Sequence, residues 1–168
     1  MYIEGRYLAR RSTNARDRDA LRHAMTYLTS SSSAENYPLF DDAGNVVGRE
    51  DACALLYERR GAVALAHRHI ISPNPDGGVS AAGLPALIRD AYLRWAWERG
   101  WGTLVFVAAI HTNTSVPHGH LWLAGHTRRG RELDLRPDDY AALRAIALDA
   151  EERMARKARV RRRTLRAL

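Results

Sequence analysis

Hydrophobic residues along the chain recur with two spacings, and the alternation between them outlines a fold. From about Ala15 to Thr29, Leu21, Ala24, Met25 and Leu28 stand at i, i+3, i+4 and i+7. That spacing predicts a helix with one buried face, ended by the serine run Ser30–Ser33. REDACALLYERRG predicts a short helix closed by Gly61. SAAGLPALIRDAYLRWAWERG turns Leu84, Leu87, Ile88, Ala91, Tyr92 and Trp95 to one side and stops at Gly100. Pro137 opens a last helix, with Asp138 and Asp139 in the first turn, where the helix dipole favours acids. Tyr140, Leu143, Ala147, Ala150 and Met154 form its apolar stripe.

The other spacing is that of strands. YIEGRYLA reads as a first strand with Ile3 and Tyr7 as core positions, and NYPLFDDAGNVVG as a hairpin around its Asp-Asp-Ala-Gly-Asn turn. AVALAHRHIISP is a strand stopped by PNPDGG. WGTLVFVAAIH, from Trp101 to His111, is nearly continuous, β-branched and apolar, as in a strand buried on both faces. TNTSVP supplies turn residues, HGHLWLAG is a further strand ended by Gly125, and RRGRELDL gives a turn and a short strand. This order predicts an α+β domain: a central antiparallel or mixed sheet flanked by helices. The four tryptophans, Trp95, Trp97, Trp101 and Trp122, are expected in or against the core, although a tryptophan can also stack on a base.

A chain of 168 residues can bury one proper core. Residues 1–152 are expected to form the domain and 153–168 a basic helical tail. The single cysteine, Cys53, excludes an internal disulfide and suits a reducing cytoplasm. No apolar run approaches the ~20 residues needed to cross a membrane, and MYIEGRYLARR lacks the apolar segment of a signal peptide. The expectation is a cytoplasmic protein. The net charge of +7 is concentrated, because RMARKARVRRRTLRAL carries eight cations and no acid while the rest of the chain is close to neutral. Guanidinium groups suit bidentate phosphate contacts. Arg156, Lys157, Arg159, Arg161, Arg162 and Arg163 are therefore candidate contacts to nucleic acid.

The candidate chemistry lies in IHTNTSVPHGHLWLAG, residues 110–125. Alternate residues of a strand share a face, so His118, His120 and Trp122 point one way and Gly119, Leu121 and Leu123 the other. If the strands before and after the turn pair, His111 stands beside the His118/His120 pair and three imidazoles converge. Three protein ligands with open positions make a catalytic kind of metal site, and ligand type alone leaves Mg, Mn, Zn and others open. His67-x-His69 is a competing pair with no third histidine near it in sequence.

Three blocks in order, MTYLTS, HRHIISP and HTNTSVPHGHLWLAG, resemble the relaxases, or mobilisation nucleases, of the HUH endonuclease superfamily. The branch that includes the T-DNA border-nicking enzyme is the nearest in pattern. The resemblance spans roughly residues 21–152 and continues through GRELDL and DYAALRAIALD. It implies His111, His118 and His120 as ligands of one divalent ion, Mg or Mn foremost, Tyr27 as nucleophile, and Ser72 where the second block approaches DNA. The implied reaction is nicking and transfer of single-stranded DNA through a 5′-phosphotyrosine, at an origin of transfer or similar mobile-element site. Accessory proteins of a transfer complex are implied partners. Two positions depart from the pattern. The family's acid is Asn113 here, which removes a charge that would orient a histidine or help deprotonate the tyrosine, and Gly119 replaces a hydrophobic residue, which would weaken packing on the far face. Tyr27 lies next to an apolar stripe, so a core tyrosine is its plain alternative, and His23 one turn earlier is a helper, a nucleophile or, more often for such a position, a surface histidine. Tyr140 is the rival nucleophile, in the arrangement of replication initiators and transposases. A non-cleaving DNA-binding accessory protein of the same fold is the other alternative.

Overall fold

The computed structural model describes residues 1–9, 14–29 and 38–166; the serine run Ser30–Ser33 lies outside them, as do the side chains of Arg161, Arg162 and Arg163. The described elements run β1 (Tyr2–Ala9), α1 (Asn14–Thr29), β2 (Phe40–Asp41), α2 (Arg49–Glu58), β3 (Ala64–Ser72), α3 (Leu84–Glu98), β4 (Phe106–His111), β5 (His118–Ala124) and α4 (Pro137–Arg166). The five strands form one sheet in the order β1-β3-β5-β4-β2, every neighbour antiparallel. With four helices against it, this is the α+β architecture that the sequence pattern predicts.

Each face of the sheet carries its own core. Leu121, Leu123, Phe106, Ala108, Ile110 and Ile71 meet Leu84, Leu87, Ile88 and Trp95 of α3 and Leu143, Ala147 and Ala150 of α4. On the other face Trp122, Ala124, Val107 and Ala109 meet Leu21, Met25 and Leu28 of α1 and Ala52 and Leu56 of α2. The alternation read from HGHLWLAG thus holds residue by residue. The helix ends obey local rules. Arg136 N–H donates to the Asp139 carboxylate at 2.8 Å, capping α4, and Gly100 takes the left-handed conformation (φ 62°) after α3.

Five expectations need correction or narrowing. The strand expected from Trp101 starts only at Phe106, where the β4–β5 ladder ends on the Phe106–Leu123 pair; before it the Val105 carbonyl accepts from Ala124 N–H and the Thr103 carbonyl from Arg128 N–H, both at 2.9 Å, as isolated bonds that do not continue the ladder. Trp101 turns back instead, its N–H donating to the Ala96 carbonyl at 2.9 Å and its ring meeting Trp95 edge-on. Tyr7 is 63% exposed on edge strand β1, where the packing of α4 reaches Gly5 through Tyr140. Trp97 is 83% exposed, one position off the buried stripe of α3. RELDL makes only one bridge, His126 to Glu132, and NYPLFDDAGNVVG closes through a single bridge, Phe40 to Val46, around the Asp41 side chain.

The end of β5 is fixed by backbone contact. A Cβ on Gly125 would stand 2.2 Å from Gly61 N and 2.3 Å from Ala64 O, which are main-chain atoms that cannot rotate aside. Gly125→Ala is therefore expected to destabilise the protein by about 3 kcal/mol, the upper range for overpacking a close contact. Urea unfolding followed by circular dichroism checks this.

Candidate metal centre and its surroundings

The register of the β4–β5 hairpin decides where the histidines stand. His111 pairs directly with His118, and Ala109 with His120. All three imidazoles thus project from the face covered by α1. Ring centroids are 4.4 Å apart for His111 and His120, 5.0 Å for His118 and His120, and 5.7 Å for His111 and His118. One donor nitrogen from each lies within 4.8 Å of the others, a group that can hold a metal ion. Nitrogens bound at ~2.1 Å to one ion stand about 3–3.5 Å apart, so small ring rotations complete the set.

The donor chemistry fits as well. His111 Nε2–H donates to the Leu28 carbonyl at 3.1 Å, which leaves Nδ1 as the basic nitrogen. His118 Nδ1 lies 3.2 Å from both the Val116 carbonyl and the Thr114 hydroxyl; donation to the carbonyl frees Nε2 for a metal. Burial lowers the pKa of His111, partly opposed by the Leu28 hydrogen bond and helped by His118. Burial, then the neighbouring His111, His118 and Arg68, brings His120 down to about 3. Both imidazoles are neutral at physiological pH, the form that binds metals. His120 Nδ1 is buried without a hydrogen-bond partner.

Tyr27 stands at the mouth of this group. It is on the last turn of α1, 53% exposed, with its ring 5.6 Å from His120 and 6.4 Å from His111. The chain brings the two together because Leu28, the next residue, supplies both an apolar anchor (1% exposed) and the carbonyl that holds His111. The guanidinium of Arg68 lies 5.8 Å from the centre of the Tyr27 ring. Ser72, the last residue of β3, faces the same side, one step beyond the Ile71–Gly119 pair and so level with His118.

The remaining candidates lie elsewhere. Tyr140 is on the opposite face, its ring 5.4 Å from His69 and packed where a Gly5 side chain would be. The His67–His69 pair shares that face. His69 is fully buried on the Tyr92 hydroxyl, with its pKa brought down to about 3 by burial, and His67 Nε2–H donates to the Leu133 carbonyl at 3.0 Å. These are core histidines. His23 is exposed and bonds to the Asp19 carbonyl of its own helix. Asn113, which stands where the resembled family has an acid, is exposed in the turn and makes no hydrogen bond to the three; Thr114, one residue on, contacts His118 instead. The sequence signal for Thr114 is weak, since one of several polar turn residues has to be chosen. Gly119 leaves no hole, because Ile88 Cδ1 fills the space a Cβ would need, 2.5 Å away.

Arg156, Lys157 and Arg159 are exposed on α4. The tail leaves the domain at the same end of the sheet as the histidines: Glu151 accepts the Asn74 N–H at 2.7 Å, two residues beyond Ser72. Arg153, also a tail cation, is instead held by Asp90 and Asp149. Among the described residues no helix is long and apolar enough to cross a membrane.

No protein-family model matches the chain, and no curated protein matches it.

Isothermal titration with Mn should give one ion per chain, and His120→Ala should abolish that binding. Thr114→Val should raise the dissociation constant about tenfold by removing one of the two contacts on His118 Nδ1, as loss of an orienting contact does. Thr114→Ser should restore it.

Proposed function

We propose that this chain is a metal-dependent single-stranded DNA nicking and strand-transfer protein of the relaxase kind, acting at an origin of transfer or similar mobile-element site in a reducing, cytoplasmic setting. The observation that carries the reading is the half-exposed Tyr27 ring set against His111 and His120 on one face of the sheet. A nucleophile and a three-nitrogen metal site are useful together only when one atom, here a phosphorus, must be reached by both. The order of the blocks MTYLTS, HRHIISP and HTNTSVPHGH, which resembles that of relaxases, agrees with it.

A phosphodiester resists attack because its negative charge repels the nucleophile. A divalent ion on the three histidines, Mg or Mn by preference, would supply positive charge beside the non-bridging oxygens and stabilise the transition state. The residues do the rest. The Tyr27 hydroxyl oxygen forms a bond to phosphorus as the bond from phosphorus to the 3′-oxygen breaks. The phenolic proton passes to solvent, and a proton is taken up by the departing 3′-oxygen. The products are a 5′-phosphotyrosine and a free 3′-OH. Phenolate is itself a good leaving group, so the link retains the capacity to rejoin a 3′-OH by the reverse step. The exposed cations Arg156, Lys157 and Arg159, with Arg161, Arg162 and Arg163 beyond them, would hold phosphates away from the chemistry.

Asn113, in place of an acid and without a bond to the histidines, favours a second reading: a DNA-binding protein of this architecture that does not cleave. Tyr140 as nucleophile is disfavoured, since the sheet stands between it and the three histidines.

Incubation of the protein with single-stranded oligonucleotides containing a target site and Mn or Mg should give a covalent band on a denaturing gel. Tyr27→Phe should lose the band and keep DNA binding, and Tyr140→Phe should keep the band. Binding with no band under any of these conditions supports the non-cleaving reading.

A version ending at Ala155 retains the Arg153 ion pairs but drops seven cations. It should bind single strands more weakly, with a shallower dependence of log affinity on log salt. An unchanged slope would assign the tail another role.

A further inference from the structure

Half of the histidine-bearing face has no part in the reading above. Helices α1 and α2 lie over β4, β5 and part of β3. Beyond them, Tyr2 of β1 is 56% exposed and the Arg6 side chain 76%. The register sets this open area in rows that lead to the histidines: Tyr2 pairs with Ser72, which is level with His118; Glu4 with Ile70 and His120; Arg6 with Arg68 and Trp122. Neighbouring strands are ~4.8 Å apart, so Tyr2 stands about 10 Å from His118 along its row.

The charges in this area are unequally matched. Glu4 accepts from the Tyr2 hydroxyl at 3.0 Å and from Arg6 at 2.8 Å. Arg68 has no carboxylate within ion-pair distance among the described residues, although its charge reaches Glu4 and His120. Its guanidinium stays beside the Tyr27 ring. A cation with no ion-pair partner among the described residues beside Tyr27, a hydroxyl level with the candidate metal site and an exposed aromatic ring at the sheet edge are complementary to one kind of partner. That partner is a polyanion whose bases are unpaired, because the face of a base is open to an aromatic ring only in a single strand.

We infer that the open β1–β3 half of this face is a platform for one flank of a single-stranded nucleic acid, with Arg68 on the phosphate next to the histidine site and Tyr2 stacked on a nearby base. Ser72 lies between Tyr2 and His118 in their row as a hydroxyl contact. The inference rests on the proposed DNA reading for its substrate class, and it assigns residues that the block resemblance does not, Ser72 apart.

The test uses the full chain carrying Tyr27→Phe and a labelled mixed-sequence oligonucleotide, with fluorescence anisotropy read across a salt series. Adding Arg68→Ala should lower the slope of log affinity against log salt by about 0.7, the share of one phosphate on a single strand. Adding Tyr2→Ala should weaken binding about tenfold at unchanged slope, with Tyr2→Phe restoring it, as stacking requires. Equal affinity and slope in both variants would overturn the platform, as would equal affinity for duplex and single strand. Covalent band formation by the unsubstituted protein separates this from the nicking reading. A band together with unaltered binding in both variants removes the platform and keeps nicking; altered binding without any band keeps the platform and removes nicking.

Discussion

The pairing of β4 with β5 is the constraint on which the rest depends. Its register sets His111 opposite His118 and leaves His120 one step along on the same face. A slip of one residue would turn His118 and His120 into the core beside α3 and bring Gly119 and Leu121 to the α1 side. The register is held at both ends. Gly125 closes against Gly61 with no room for a side chain, and Ile88 fits into the space above Gly119. The glycine between the two histidines is thus a packing solution, in which the partner helix supplies the bulk that the strand omits.

The second dependence is between the nucleophile candidate and the candidate metal ligands. Leu28 anchors α1 in the core of that face while its carbonyl fixes the His111 tautomer, so Tyr27 and His111 are positioned by one backbone segment. Such coupling makes the distance between the tyrosine and the histidines a property of the fold, as precise positioning of reacting groups needs. The opposite face shows what histidines look like without that arrangement. His67 and His69 are also buried and neutral, but they are bonded to Leu133 and Tyr92, and no third ligand approaches among the described residues.

Much of this was legible in the sequence because strand alternation is a local rule. Knowing that HGHLWLAG is a strand is enough to sort His118, His120 and Trp122 from Gly119, Leu121 and Leu123, and the faces follow. Helix stripes were equally readable for α1, α3 and α4. What local rules could not supply was the extent of pairing. Trp101–Val105 has strand composition but receives only isolated backbone bonds and no ladder, and Tyr7 has a core spacing but is exposed on an edge strand. The same limit hid Arg68, whose position between Arg6 and Trp122 depends on two registers at once. Thr114 rather than Asn113 orients His118, a difference of one residue in a turn that periodicity does not describe.

The central claim is that His111, His118 and His120 form one metal centre within reach of Tyr27. A crystal of the Tyr27→Phe protein grown with Mn and a single-stranded oligonucleotide tests it most directly, through an anomalous difference map at the manganese edge. The account predicts one strong peak among the three imidazole rings, with a phosphate between that peak and the substituted ring at position 27. Density for the metal at His67 and His69, or no peak among the three histidines, would contradict it.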